Sequence, residues 1–213
     1  ILVDNMNREF TRYVWAYDLT RNQGVMEIWN AKLHPHDIGN DNTTYHKVNG
    51  RIVAVLIDFD FVKDLEDPSQ PTSRHRSGTV PFMASSLLSH PNSPHTLHED
   101  FESACYILVW TALGYRGSAL PEDKEDPLAN WKNGSLSVIA AFKMQLFADA
   151  RSWESLSTMI VKPYEILREP IARLRRVVRR YHDSRELRYD ASDFVPNEPT
   201  VAKYLDILCV VVQ

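Results

Sequence analysis

The chain has 213 residues, 44% hydrophobic and 24% charged, a globular composition rather than that of a disordered chain. Lys+Arg 24 against Asp+Glu 28 leaves a formal −4, which excludes a global basic field aimed at nucleic acid. Two cysteines, Cys105 and Cys209, exclude a disulfide framework and suit buried thiols in a reducing compartment. The expected location is therefore intracellular, in cytoplasm or nucleus. No apolar run reaches the roughly 20 residues of a membrane helix, so no membrane is expected.

Phe10, Val14 and Tyr17 fall at helical spacing and predict a helix over 7–22, stopped near Gly24. The polar segment 30–50 reads as a loop and turn, and Asn49-Gly50 suits a two-residue hairpin. Arg51 to Asp58 is a β-branched run and predicts a buried strand. Residues 63–77, with Pro68 and Pro71, read as a surface loop. Helices are expected over 83–89, 100–113, 135–148, 151–160 and 165–183, with a Pro- and acid-rich loop over 117–130. The tail 186–213 ends in the apolar run Ile207–Val212. One early hairpin before a helical remainder is the pattern of an α-rich lobe, mostly α in an α+β class.

The chemistry gathers between His36 and Asp60. Asp37 stands five residues before Asn42 in a loop that feeds the hairpin, and Asp58-Phe59-Asp60 ends the strand that closes it. Phosphoryl transfer needs such a set: one aspartate for the attacking hydroxyl, and Asn and Asp oxygens for hard Mg²⁺. Asp-x4-Asn alone is weak, because both residue types favour turns. Asp37 also reads as a solvated loop acid, Asn42 as a turn former and Asp58 as a plain strand end.

Further segments follow in order: Gly78-Thr-Val-Pro-Phe-Met-Ala84, Asp100-Phe-Glu-Ser103 with Tyr106 and Trp110, and Pro127-Leu-Ala-Asn-Trp131 with Lys143 downstream. Together with Leu56-Ile-Asp-Phe-Asp60, they resemble the fungal-type protein kinase domain family over roughly residues 10 to 182. The resemblance implies a protein-kinase-like C-terminal lobe over 1–185, with a short β-hairpin at the catalytic and magnesium loops, and a C-terminal tail over 186–213. It implies Asp37 as catalytic base and Asn42 and Asp58 as magnesium ligands. Asp100 would brace the catalytic loop, and Thr79 would lie in the substrate-facing segment. Mg and ATP would be the cofactors of an active form, and a protein Ser/Thr the acceptor.

The departures are specific. Pro35-His36 stands where the family has His-Arg, so a permanent charge is replaced by one that needs a proton. Ser86 replaces an expected glutamate, and Gly39 stands where many Ser/Thr kinases carry a phosphate-contacting Lys. The start at Ile1 rather than Met suggests a fragment or a trimmed product. Only 36 residues precede Asp37, and they hold no Gly-rich loop and no strand Lys paired with a helix Glu. This chain is thus expected to be impaired or inactive by itself. The alternative is a non-catalytic, pseudokinase-like interaction module that uses the activation-segment groove and the Arg-rich helix.

An uncovered apolar patch is expected at Val53, Val55 and Phe61, to be met by the tail, by a separate small lobe or by self-association. His90, His95 and His98 have poor metal spacing and read as surface histidines. In Arg173–Arg180, Ile171, Leu174, Val177, Val178 and Tyr181 fall at core spacing, which puts the arginines on a solvated face.

Overall fold

The computed structural model describes residues 33–34, 36–39, 42–49, 51–57, 63–64, 78–90, 95–114 and 126–186. It is mostly helical. The helix expected over 7–22, the tail 186–213 beyond Glu186, Asp58 and the side chains of Val53, Val55 and Phe61 lie outside the described residues, as does Cys209.

Strands are short and come first. β1 (Leu33–His34) pairs antiparallel with β4 (Lys63–Asp64), so the loop expected from 63 opens with a strand. β2 (Thr43–Val48) pairs with β3 (Arg51–Leu56) in a register that sets Val48 opposite Arg51 and Thr43 opposite Leu56. The reversal uses Asn49 at φ 50°, a left-handed conformation that Asn tolerates. Ile57 follows β3, and its amide donates to the Asn42 carbonyl at 3.0 Å, tying the strand exit to the loop before β2.

The turn at Thr79–Met83 closes with the Phe82 and Met83 amides donating to Thr79 O, at 2.8 and 3.0 Å. Helix α1 (Ser85–Ser89) begins only after it, two residues later than expected. Helix α2 (Leu97–Ala112) starts three residues earlier than the apolar pattern indicates. Its start is a capping box: the Thr96 hydroxyl accepts from the His98 amide, and Glu99 Oε2 accepts from the Thr96 amide at 2.9 Å. α2 is buried all round, with Phe101, Cys105, Tyr106, Ile107, Leu108, Val109 and Trp110 in one core. A helix apolar on every side is a central one. Against it pack Trp131, Phe147, Leu167, Ile171, Leu174 and Val178 from the later helices.

The Pro- and acid-rich loop holds a one-turn helix, α3 (Ala129–Lys132), which buries Trp131; Asp126 Oδ1 accepts from the Leu128 amide at its start. α4 (Leu136–Ala148) is capped by Ser135. α5 (Ala150–Thr158) is capped by Asp149, whose carboxylate accepts from the Arg151 and Ser152 amides at 3.0 and 3.2 Å. Pro163 opens a 3₁₀ turn (Lys162–Leu167) before α6 (Arg168–Glu186), where one helix was expected from 165.

The basic stripe on α6 needs a correction. Arg176, Arg179 and Arg180 are exposed, but Arg175 is 9% exposed. Its Nη1 donates to the carbonyls of Leu146 and Phe147 at 3.0 Å and of Asp149 at 3.4 Å. The Leu146 and Phe147 carbonyls are acceptors at the end of α4, and a guanidinium there serves them with its charge at the negative end of the helix dipole. Core periodicity could not show this, because Arg buries its stem at a boundary position of the apolar stripe.

Candidate functional site

The site is built on the loop 36–39, the turn at 78–83 and the first turns of α2. His36 takes a left-handed φ of 57°, uncommon for a residue other than glycine. After it come Asp37 and then buried Ile38, which anchors the loop in the core around α2. Asn42 Nδ2 donates to the Asp37 carbonyl at 3.1 Å. That bond fixes the orientation of the Asn42 amide group. Both side chains are half-buried.

Gly39 shows how closely the parts meet. A β-carbon there would lie 3.4 Å from Thr79 Oγ1, 3.6 Å from Asp37 Oδ1 and 3.9 Å from Asn42 Nδ2. Asp37, Asn42 and Thr79 thus surround one point, although 42 residues of sequence separate Asp37 from Thr79. The cleft beside them is lined by His36, Asp37, Gly78, Thr79, Met83 and His95. Its enclosed volume is about 10 Å³, room for one water-sized group rather than a whole ligand.

Gly78 closes the other side at φ 128°, where a side chain is strained. A β-carbon would also meet Met83 Cε at 3.3 Å and Asp37 Oδ1 at 3.7 Å. Gly78→Ala is expected to cost about 1–3 kcal/mol of stability. Denaturant titration checks it; a loss under about 0.5 kcal/mol would show that the turn relaxes freely.

Beneath the loop, His95 Nε2 lies 2.7 Å from Asp100 Oδ1, and the His95 ring stacks on His36 at 4.3 Å between centroids. His98 is buried against Tyr181, with centroids 3.5 Å apart. Of the three histidines read as surface residues, only His90 is exposed. Spacing was judged for zinc alone; the missed signal is His95 standing just before the Thr96 cap, aimed along the first turn of α2. Among the described residues, no group of three His, Cys, Asp or Glu side chains is placed to hold a metal ion.

A second layer sits behind the turn at 78–83. Lys143, 0% exposed, donates from Nζ to Val80 O at 2.8 Å and Met83 O at 2.6 Å. Its ammonium lies 4.4 Å from the Tyr106 ring centroid. Burial lowers its pKa to about 7, against a smaller raising effect of Glu102. Glu102 Oε1 accepts from the Ser85 amide at 2.7 Å and from the Tyr106 hydroxyl, while Oε2 meets His182 Nε2 at 3.0 Å. Burial pushes Glu102 up, but His182, Tyr106 and Ser85 together outweigh it and hold the carboxyl at about 2. Ser86 Oγ donates to Glu99 Oε1 at 2.9 Å, so the position that lacks glutamate is still tied to α2. Cys105 is no nucleophile: burial raises its thiol to about 12.

Asp37, Asn42 and Thr79 are therefore brought together, Asp100 lies beneath them through His95 and His36, and Asp58 lies outside the described residues. Compared with known sequences, the chain matches no curated protein. The family model described as fungal protein kinase matches residues 30–112, less than half of the chain. That stretch runs from just before β1 to the end of α2 and contains Asp37, Asn42, Asp58, Thr79 and Asp100. The match stops short of Trp131 and Lys143. Over residues 30–112 the chain is thus similar to the fungal protein kinase family.

Proposed function

We propose that the chain is the large-lobe part of a protein-kinase-like phosphotransferase that moves the terminal phosphoryl of ATP to a protein Ser or Thr hydroxyl inside the cell. The observation that carries this is the Asn42–Asp37 hydrogen bond, made beside Thr79. Asp37 would orient the acceptor hydroxyl and take its proton as the new O–P bond forms and the bond to ADP breaks. The donor set fits Mg²⁺: Asn42 Oδ1 is a neutral hard oxygen, and Asp58, two residues after Leu56 in the sequence, would add a carboxylate. Magnesium, when bound, neutralises charge on the phosphates. Thr79, exposed at the cleft rim, would face the peptide.

Transfer by these 213 residues alone is expected to be slow, because no Gly-rich loop within them covers the phosphates. A nucleotide would meet one wall, whereas ligand sites bury most of the ligand surface. Calorimetry should show weak ATP binding that needs Mg²⁺ and disappears in Asn42→Ala. Binding indifferent to Mg²⁺ and to Asn42 would overturn the reading. A second reading, an interaction module without catalysis, draws on the exposed Arg176, Arg179 and Arg180 of α6. It expects no Mg²⁺-dependent nucleotide binding.

A further inference from the structure

We propose that His95 is a positioning residue for Asp37: ion-paired to Asp100 on one edge and stacked on His36, its imidazole holds the loop from which Asp37 projects. The inference deepens the phosphotransfer reading and rests on it only for the catalytic consequence.

The geometry makes one stack from helix to loop. Asp100 is 1% exposed in the first turn of α2, and a buried carboxylate demands a cation or several donors. His95 supplies the contact at 2.7 Å, with 12% of its own side chain exposed. Its ring lies 2° from parallel to that of His36. The backbone of His95 is itself fixed, because Thr96 is the cap of α2 and Glu99 clasps both the amide and the hydroxyl of Thr96. Any shift of His95 would therefore be passed to His36, and His36 is bonded to Asp37 in a left-handed turn.

This answers a departure in the sequence. Position 36 lacks the permanent charge of an arginine, and the chain places the cation five residues before Asp100 instead. The groups that face His95 are Asp100 and Glu99 from α2, and His36 and Asp37 from the loop. Burial alone would lower His95, but the charge and hydrogen bond of Asp100, helped by Glu99 and Asp37, hold it above its usual 6.5. Two stacked imidazolium rings would repel, so the stack works best with one charge, on the ring that touches Asp100. Losing that proton removes the ion pair and loosens the support under Asp37.

Histidine side-chain NMR on the whole chain tests this. The His95 signals should titrate above pH 6.5, and the His36 signals should show an inflection at the same midpoint. Asp100→Asn should lower that midpoint by about one to three pH units. His95→Gln should erase the inflection on His36; if that variant does not fold, the wild type and Asp100→Asn carry the test. His36 signals blind to the His95 titration, or His95 neutral below pH 6, would overturn the proposal. In a phosphotransfer assay the alkaline limb of kcat should follow the His95 midpoint and move to lower pH in Asp100→Asn; an unmoved limb also overturns it. Nucleotide binding indifferent to Mg²⁺ and to Asn42, with the NMR coupling present, supports the positioning role and overturns the phosphotransfer reading alone.

Discussion

Glu102→Gln is expected to cost about 3 kcal/mol of stability at neutral pH. The carboxylate is 2% exposed and serves three partners on three elements: the Ser85 amide, Tyr106 and His182. Its pKa of about 2 in the folded chain, against 4.5, means that the native state binds the proton less well than the unfolded state. A depressed carboxyl stabilises above the unfolded value and loses that contribution as pH falls through the folded one. At about 1.4 kcal/mol per pH unit, the interval from 4.5 to about 2 gives the figure above. Denaturant titrations of both proteins between pH 7 and 2 should show the gap closing in that window. A gap that stays constant to pH 2 would show that lost packing, not charge, is responsible.

Lys143→Met should show the same sign of pH dependence in a higher window. The methionine keeps most of the volume but leaves the Val80 and Met83 carbonyls without their donor. Unsatisfied buried acceptors cost about 1–3 kcal/mol each. The wild-type amine has a folded pKa of about 7 against 10.5, so above pH 7 the unfolded chain carries the extra proton. Wild-type stability therefore rises with pH there, by about 1.4 kcal/mol per unit, and the variant lacks this rise. The difference should widen from pH 7 to pH 9. Above 9.0 the buried Cys105 thiol, at about 12 when folded, pulls stability down in both proteins alike. A difference independent of pH would mean that Lys143 is charged throughout. Loss of the clamp should also free the turn that carries Thr79, raising KM for a peptide more than it lowers kcat.

Local signals were legible in the sequence wherever one residue type served one purpose. The apolar spacing of α2 and α6 located those helices to within a few residues. The order Asp37, Asn42, Thr79, Asp100 carried the family likeness, and the described part of the site brings the first three together. The rest needed tertiary contacts. The Thr96–Glu99 box was present in the letters, but the apolar count began at Asp100 and passed over it. Arg175 and Lys143 look like surface cations until the carbonyls that they serve are known, and those lie 29 and up to 63 residues away. His95 reads as a surface residue in the sequence, because the spacing of metal ligands carries no sign of a carboxylate partner and a stacked ring.

The corner where α4 meets α5 behaves differently from the rest of this network. Asp149 ends one helix and caps the next, and Arg175 reaches over from α6 to the last carbonyls of α4. A guanidinium holds its proton at any pH a cell meets, even with burial pulling its affinity down. The supports nearest Asp37 and Thr79 are an imidazole held above its usual 6.5 and a buried amine brought down to about 7. The α4–α5 corner that Arg175 holds keeps its charge throughout that range, and it can serve as a fixed ground against which the loop and turn of the site adjust.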